Sequence, residues 1–278
     1  CCLVFACSGQ RYAQEALGAA ARAAEVMPGY PRVGFADSDA ARLFTDSGLF
    51  AEVHVIPDPA FSFIDKTRIA LPAHYDAALF LDSDTYLARA VDEVFALLTR
   101  FDLVVAHEPT RFSRDASFQH LLDEGAPRAF PELNTGVIGF RNTAAVAQLF
   151  SAWRADNAAR VAAGRPPAHD QPAFRTALWA SALRFYVLSP EYNFRFQMPS
   201  FIGGYAGVAI LHGRGRRRAA LAARLAPVRG LPRSYTPWHW PLTGLRRLLR
   251  RRRRRFGLTR ASLGTWLGRA RRSPDTPS

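Results

Sequence analysis

Residues 75–87 read YDAALFLDSDTYL. Residues 77–81 form a short, wholly apolar run, which is typical of a β-strand buried on both faces. Asp82-Ser83-Asp84 follows this run at once, and open α/β sheets bind their ligands at the carboxyl ends of their strands. The stretch therefore predicts a buried strand that carries two carboxylates to a ligand-binding edge.

The rest of the body alternates apolar runs with helical patterns. This alternation predicts an α/β fold with a mostly parallel central sheet and helices on both faces. Strands are predicted at residues 3–6, 32–36, 53–56, 103–106, 136–140, 184–188 and 208–211. Helices are predicted at residues 12–27 and 91–99, after a cap at Asn142 or Thr143, and from Asp170 to about residue 181.

The charge of the chain is divided between a mildly acidic body and a strongly basic end. The net charge of the 278 residues is +14, but residues 211–278 hold 19 arginines and one acidic residue. Residues 1–210 hold 18 basic and 22 acidic residues. A shift of this size predicts a globular domain at residues 1–215 and an Arg-rich C-terminal extension, helical or disordered, at residues 216–278.

The composition excludes several broad classes of protein. With 49% hydrophobic and 22% charged residues, the chain resembles a globular protein rather than a disordered one. No apolar run approaches the roughly 18 residues of a membrane-spanning helix. Cys1, Cys2 and Cys7 lie together at one end of the sequence, so we predict no disulfide framework and a reducing, cytoplasmic location.

Common catalytic and cofactor motifs are absent from the sequence. There is no G-x-G-x-x-G after the first strand and no G-x-x-x-x-G-K-[ST], which disfavours a dinucleotide-dependent dehydrogenase and a P-loop kinase. There is also no H-E-x-x-H, paired C-x-x-C or G-x-S-x-G, so zinc hydrolases, zinc ribbons and α/β-hydrolases are disfavoured.

The two carboxylates after the strand are spaced to converge. Side chains two apart in an extended segment point the same way, so Asp82 and Asp84 can hold one cation. Oxygen ligands of this kind suit Mg²⁺ or Mn²⁺, which commonly bridge to substrate phosphates. The alternative is a capped turn, in which Asp and Ser side chains accept hydrogen bonds from backbone amides, and the tripeptide alone favours this turn.

Four segments change that balance, because they occur in a particular order within residues 3–215: YDAALFLDSDTYL, ELNTGVIGF, HDQPAF and ILHGRG. In this order they resemble the nucleotide-sugar glycosyltransferases of the GT-A fold, particularly relatives of glycosyltransferase family 8. The resemblance implies a Rossmann-like GT-A catalytic domain. It also implies sugar transfer from a nucleoside diphosphate sugar, with a UDP-sugar as the favoured donor. The acceptor would be a hydroxyl of a glycan or of a lipid-linked molecule. The resemblance favours retention of the anomeric configuration over inversion.

The resemblance implies three ligands for a Mn²⁺ or Mg²⁺ cofactor. In the family, Asp-x-Asp residues such as Asp82 and Asp84 bind the metal and the diphosphate, and the first of them also touches the ribose. His212 ends the apolar run VAILH, and a histidine in this setting supplies the third ligand. The alternative for His212 is a histidine that merely ends a strand at the surface.

Three further residues are implied beside the donor sugar. Asn134 would bond to the donor sugar or the acceptor, Asp170 to sugar hydroxyls, and Gln171 would lie near the anomeric carbon. Inversion would need a general base, for which Asp170 is the candidate. The alternatives are structural: a turn before a strand for Asn134 and a helix cap for Asp170.

Basic residues in two places are candidates for contact with the nucleotide. Lys66 and Arg68 begin a predicted helix, KTRIAL, ahead of the acidic strand, and they can reach the diphosphate or remain exposed helix charges. Arg218 stands where the family pattern has a lysine that meets the diphosphate. An arginine forks onto phosphate well but with different geometry.

The first strand-to-helix turn is the candidate nucleotide seat. Backbone amides around Ala6 and Ser8 can receive the nucleotide, and the ring of Tyr12 can stack on its base.

The basic end of the chain suits an anionic membrane surface. Residues 250–255 are six consecutive arginines, and apolar residues recur at helical spacing on either side, including Trp266. The alternatives are a solvated tail and, less favoured, nucleic-acid binding, because no reading module is recognisable.

Two other functions remain open from the sequence. A sugar-nucleotide nucleotidyltransferase shares the α/β sheet and the divalent metal, but residues 8–11 are too short for its Gly-rich loop. A non-catalytic domain with a membrane- or nucleic-acid-binding tail is the other alternative.

Overall fold

The computed structural model describes residues 1–109, 126–127, 129–164 and 169–237. Its strands are β1 (Cys2–Cys7), β2 (Arg32–Ala36), β3 (Glu52–Val55), β4 (Ala77–Leu81), β5 (Thr85–Leu87), β6 (Leu103–His107), β7 (Leu133–Arg141), β8 (Phe185–Leu188), β9 (Ser200–Ile202), β10 (Ile210–His212) and β11 (Arg233–Tyr235). Its α-helices are α1 (Gln10–Val26), α2 (Ser38–Asp46), α3 (Asp92–Leu97), α4 (Ala144–Ala162), α5 (Gln171–Ala180) and α6 (Arg218–Leu225). Short 3-10 helices span Phe63–Arg68 and Pro190–Asn193.

These elements confirm most of the predicted pattern. The predicted strands at residues 32–36 and 77–81 have the same bounds in the structure, and the other predicted elements differ at their ends by a few residues. Thr143 caps α4, because its Oγ1 accepts a hydrogen bond from Val146 N at 3.3 Å. The helix predicted to begin at Lys66 is wrong, since Lys66 and Arg68 lie in the last turn of a 3-10 helix.

The central sheet has seven strands in the order β3-β2-β1-β4-β7-β6-β8. Pairings β3–β2, β2–β1, β1–β4 and β6–β8 are parallel, which confirms a mostly parallel sheet. The strand β7 is antiparallel to both of its neighbours, β4 and β6. Because of this reversal, the first residues of β7 lie at the edge where β4 ends, which is the predicted ligand-binding edge.

Helices cover both faces of the sheet, as the sequence predicts. Along β1, Cys2 and Val4 pack in a core that includes α4 and α5, whereas Leu3 and Phe5 pack in a core that includes α1 and α3. All four side chains are 0% exposed, so β1 is buried on both faces. Burial on both faces explains why β1 and β4 are apolar runs rather than alternating patterns.

A small antiparallel sheet connects the last part of the body to the acidic turn. The strand β5 follows directly after Asp84 and pairs with β10, so that His212 lies opposite Thr85. A second pair, β9 and β11, lies farther along the chain. The pairing of β10 with β5 therefore brings His212 to the residues that end β4, although about 130 residues separate them in sequence.

Residues 1–196 and 200–235 form one compact unit, which includes α6 and β11. Among the residues described, no helix combines the length and the apolar character that a membrane crossing requires. The arginine run at residues 250–255 and Trp266 lie outside the described residues.

Candidate active site at the carboxyl edge of the sheet

The acidic turn after β4 is held by backbone hydrogen bonds. Asp82 N donates to Gly136 O of β7 at 2.9 Å, and Thr85 N donates to Asp82 O at 3.0 Å. The Thr85 hydroxyl, which is buried, also donates to Asp82 O at 2.7 Å. The turn therefore places both aspartates at the sheet edge before the chain enters β5.

Asp82, Asp84 and His212 form a compact group of metal-ligand type. One ligand atom from each residue lies within 4.8 Å of the other two. His212 Nε2 lies 3.1 Å from Asp84 Oδ1 and 3.8 Å from Asp82 Oδ2. Because His212 is only 4% exposed and packed inside this edge, the alternative of a histidine at the surface does not describe it.

Asn193 and Gly136 fix the geometry of this group. His212 Nδ1 lies 2.6 Å from Asn193 Oδ1, an amide oxygen that accepts the Nδ1 proton and orients the ring with Nε2 towards the aspartates. Gly136 forms the floor, since a Cβ there would lie 2.2 Å from His212 Cε1 and 2.8 Å from Asp82 Oδ2. The residues present fit a divalent metal, because they supply two carboxylates and one oriented imidazole.

The surroundings keep Asp84 charged. Burial disfavours its carboxylate, but the hydrogen bond from His212 and the charges of His212, Arg214 and Arg195 outweigh burial and hold its pKa well below the ordinary value. Asp84 is therefore available as an anionic ligand across the whole physiological pH range.

A buried cation lies beside the acidic turn. Lys66 Nζ lies 3.1 Å from Asp82 Oδ1 and 3.5 Å from Asp170 Oδ2, and it donates to Thr135 O at 3.3 Å. The Thr135 hydroxyl in turn donates to Asp170 Oδ2 at 3.0 Å. Lys66 is 6% exposed, so it is neither the exposed helix charge nor a freely moving side chain.

Opposite effects act on the pKa values of this pair. Burial lowers the pKa of Lys66, but the carboxylates of Asp170 and Asp82 more than offset burial and raise it. Burial raises the pKa of Asp170, and the charge of Lys66 and the hydrogen bond from Thr135 only partly counter it. The two groups form an ion pair within hydrogen-bond reach of Asp82, which connects the metal-type group to Asp170.

Asp170 does not cap α5 through its side chain, so the capping alternative is wrong. It occupies the N-cap position, but its carboxylate makes no capping hydrogen bond and is turned to Lys66 and Thr135. Its backbone oxygen is bound instead, by Phe174 N at 3.1 Å and by Trp153 Nε1 at 2.9 Å. Trp153 is fully buried in the core, whereas Trp179 is 48% exposed.

Asn134, Gln171 and Glu108 orient one another next to this pair. Asn134 Nδ2 donates to Glu108 Oε2 at 3.0 Å and to Gln171 Oε1 at 3.2 Å. Asn134 Oδ1 accepts from Gly136 N at 3.0 Å, and Gln171 Nε2 lies 3.4 Å from Glu108 Oε2. The structure therefore brings Asn134 and Gln171 together, with their rotamers set by mutual hydrogen bonds.

The predicted nucleotide seat lies at the same edge. The start of α1 meets the acidic turn, because Ser83 Oγ donates to Glu15 Oε2 at 3.4 Å. The Ser8 hydroxyl is buried and donates to Asp65 Oδ2 at 2.6 Å, so it fastens the loop that carries Lys66. Ala6 is partly buried in β1, and Tyr12 is half-buried with the Arg214 guanidinium 5.6 Å from its ring centroid.

Two predicted basic residues make other contacts. Arg68 Nη1 donates to Pro57 O at 3.1 Å, and its Nε lies 3.6 Å from Asp65 Oδ1, so Arg68 stabilises its own loop. Arg218 Nη1 lies 3.3 Å from Asp84 O and 3.4 Å from Thr85 O, where it donates to the backbone of the acidic turn. Lys66 differs from both, because its Nζ lies beside the carboxylates of Asp82 and Asp170.

Several residues of the site were not predicted from the sequence. Asn193, Thr135, Glu108 and Arg214 contact predicted site residues in the structure, and Glu15 pairs with Arg214. Thr135 lay inside the recognised segment ELNTGVIGF, and Arg214 lay inside ILHGRG. The others lie on elements whose positions depend on strand order and loop path, which periodicity does not reveal.

Comparison with known proteins places this arrangement in a structural class. No protein-family model and no curated protein matches the chain. Among solved structures, the galactosyltransferase LgtC in complex with donor and acceptor sugar analogs is similar, with a TM-score of 0.54, 16% identity, and coverage of 82% of this chain and 97% of that one. Mouse xyloside xylosyltransferase 1 in its apo form is similar with a TM-score of 0.51 and 12% identity over 77% of this chain and 97% of that one.

The glycosyltransferase GlyE of Streptococcus pneumoniae TIGR4 is a third similar structure, with a TM-score of 0.53, 13% identity, and coverage of 80% of this chain and 59% of that one. These neighbours are GT-A glycosyltransferases. The chain therefore has the GT-A fold, which confirms the fold that the four sequence segments implied.

Proposed function

We propose that the protein is a metal-dependent glycosyltransferase that moves a sugar from a nucleoside diphosphate sugar to an acceptor hydroxyl. The favoured donor is a UDP-sugar. The observation that carries the proposal is the group of Asp82, Asp84 and His212, with ligand atoms within 4.8 Å of one another, at the carboxyl edge of a GT-A sheet. An Asp-x-Asp turn alone is weak evidence, but here a buried histidine and a buried lysine complete it.

Asp82, Asp84 and His212 would hold Mn²⁺ or Mg²⁺. When bound, such a metal supplies stabilisation of the negative charge that develops on the diphosphate leaving group. Lys66 holds Asp82 in place through the 3.1 Å contact of its Nζ with Oδ1, and Asn193 orients His212. Ala6, Ser8 and Tyr12 form the proposed seat of the nucleoside, at the turn between β1 and α1.

Asn134, Asp170 and Gln171 are the proposed residues around the donor sugar. They line one side of the site, where amide and carboxylate groups can bond to sugar hydroxyls. We keep retention as the proposed outcome because the family resemblance favours it. Asp170, whose carboxylate is held by Lys66 and Thr135, would be the general base if the reaction inverts.

The proposed reaction exchanges one bond for another at the anomeric carbon. The bond from this carbon to the diphosphate oxygen breaks, and its electron pair leaves with the diphosphate. A bond to the acceptor oxygen forms on the same face of the sugar, and the acceptor proton passes to the departing diphosphate oxygen. Preorganised groups that stabilise this separation of charge are the main catalytic contribution of such a site.

The structural neighbours support this reaction class. One is a galactosyltransferase crystallised with donor and acceptor sugar analogs, and another is a xyloside xylosyltransferase. These names support a sugar donor and a glycan acceptor for this chain, with a lipid-linked acceptor as the further proposal. The division into a catalytic domain at residues 1–215 and an extension at residues 216–278 stays a prediction.

Nucleotide-sugar binding to the full chain tests the proposal. Thermal shift and donor hydrolysis would be measured with UDP-, GDP- and dTDP-sugars, each with Mn²⁺, Mg²⁺ or chelator. We expect one nucleotide to raise the melting temperature only with metal, and Asp84→Asn to abolish the rise. Asp39→Asn is the matched control, because Asp39 is exposed on α2. A folded protein that responds to no nucleotide with either metal would overturn the proposal.

We also propose a cytoplasmic location with the Arg-rich extension against an anionic membrane surface. Four exposed apolar side chains within residues 200–235 support this. The pairing of β9 with β11 and the 3.1 Å hydrogen bond from Gly230 N to Gly204 O bring the segments that carry them together. The four side chains are Phe201, Tyr205, Val228 and Leu231, exposed by 57%, 98%, 61% and 75%.

Charge at this surface also favours anionic lipid. No acidic residue occurs in residues 200–237, and Arg233 has its pKa lowered by burial and by the neighbouring charges of Arg229 and Arg224. We expect the full chain to sediment with phosphatidylglycerol-containing vesicles but not with pure phosphatidylcholine. Tyr205→Ser should weaken binding and Tyr186→Ser, on β8, should not; equal binding to both vesicles would refute the proposal.

A further inference from the structure

Arg214 lies at the rim of the acidic site, two residues after His212. Its guanidinium makes two parallel contacts to Glu15 of α1, with Nε 2.7 Å from Oε1 and Nη2 2.8 Å from Oε2. The remaining terminal nitrogen, Nη1, lies 3.9 Å from Asp84 Oδ2. Arg214 therefore spans the distance between the first helix and a candidate metal ligand.

The orientation of Arg214 is set before any ligand arrives. Glu15, which fixes two edges of the guanidinium, also accepts a hydrogen bond from Ser83 Oγ in the acidic turn. The guanidinium carbon lies 5.6 Å from the ring centroid of Tyr12, within the range of a cation–π contact. Because the side chain is 45% exposed, it is accessible to a ligand in the cleft.

Arg218 is placed differently, although the sequence pattern favours it as the phosphate ligand. Its Nη1 is near two backbone oxygens, at 3.3 Å from Asp84 O and 3.4 Å from Thr85 O. Its guanidinium lies 6.0 Å from the ring centroid of Tyr86. Arg218 is thus committed to the backbone that follows Asp84, where it supports the turn.

We propose that Arg214, rather than Arg218, is the cation that binds the diphosphate of the nucleotide donor. The inference rests on the proposed function, since it names a contact within the same site. A diphosphate that shares a metal with Asp84 has its oxygens beside that carboxylate, which is where Nη1 points. The planar fork of arginine suits phosphate oxygens, and orientation by Glu15 reduces the rotamer freedom lost on binding.

Binding of a nucleotide series to the full chain tests this inference. Isothermal titration calorimetry with Mn²⁺ present would measure the affinities for UDP, UMP and uridine. If the wild type prefers guanosine or thymidine nucleotides, the matching series would be used. Arg214→Gln should weaken UDP binding roughly 10- to 100-fold and leave uridine unchanged. Arg214→Lys should recover part of the loss, because it keeps the charge without the fork.

The control is Arg216→Gln, since Arg216 is exposed two residues farther along the chain. It should bind UDP like the wild type, and every variant should keep the wild-type melting temperature. Unchanged UDP affinity in Arg214→Gln would overturn the inference, as would an equal loss for uridine or a diphosphate-specific loss in Arg218→Gln alone. A wild type that binds no nucleotide with metal would instead overturn the proposed function.

Discussion

Replacing Gly136 by alanine tests whether the acidic group is built around a missing side chain. The added Cβ would lie 2.2 Å from His212 Cε1 and 2.8 Å from Asp82 Oδ2, whereas carbon atoms in contact lie about 3.5 to 4.0 Å apart. The imidazole or the β7 backbone must therefore shift by about 1 Å or more. Neither moves easily, because His212 Nδ1 is bound to Asn193 Oδ1 at 2.6 Å and Gly136 O accepts from Asp82 N at 2.9 Å.

This displacement should weaken metal binding as well as folding. Overpacking of a core typically costs about 1 to 3 kcal/mol of unfolding free energy. A binding site needs its ligands within about 0.5 Å of the productive geometry, so a shift of this size should lower Mn²⁺ affinity by at least about 10-fold. The effect on affinity arises because the two side chains that the methyl group meets are the candidate ligands themselves.

Gly139→Ala is the matched control on the same strand. A Cβ at Gly139 would lie 2.5 Å from Val104 Cγ2 and 3.2 Å from Val94 Cγ1, in the core on the other side of the sheet. Both variants should lose about 1 to 3 kcal/mol in urea denaturation. Only Gly136→Ala should lose Mn²⁺ affinity, measured by electron paramagnetic resonance of the free ion. Wild-type affinity in a folded Gly136→Ala protein would refute the reasoning.

Three further predictions follow from the buried groups. Lys66→Met should cost about 3 to 5 kcal/mol in unfolding free energy, because it leaves the Asp170 carboxylate buried without its cation; calorimetry showing no change would contradict this. Asn193→Ala should lower Mn²⁺ affinity about 10- to 100-fold, while Asn193→Asp keeps an acceptor for His212 Nδ1 and most of the affinity. Ellman's reagent should react quickly with one thiol at pH 8, that of the exposed Cys1. Cys2 and Cys7 should react slowly, because burial raises the pKa values of their thiols to about 12. Rapid reaction of more than one thiol would contradict their buried positions.

Local sequence was sufficient wherever the signal lies within one element. The run at residues 77–81 predicts β4 because a strand buried on both faces must be apolar throughout, and its bounds are confirmed. Thr143 predicts the start of α4 because a hydroxyl cap acts on amides three residues away. The α/β class follows from many such local signals in sequence.

Contacts distant in sequence needed the tertiary structure. The antiparallel direction of β7 cannot be predicted from its own apolar sequence. This direction nevertheless brings Asn134 and Gly136 to the edge where Asp82 lies. The segments that resemble glycosyltransferases named Asn134, Asp82 and His212 but not the distances among them. Those distances depend on strand order, which is decided by packing of the whole sheet.

The sequence by itself therefore determined the α/β class and the buried apolar strand that ends at Asp82. Through four ordered segments it also determined the GT-A resemblance. Only the tertiary structure decided that Lys66 is buried between two carboxylates and that Arg218 contacts backbone oxygens. It also decided that Arg214 faces Asp84. The physical reason is that side-chain direction and charge pairing in a cleft depend on several non-local elements at once, whereas strand burial and helix capping depend on neighbouring residues.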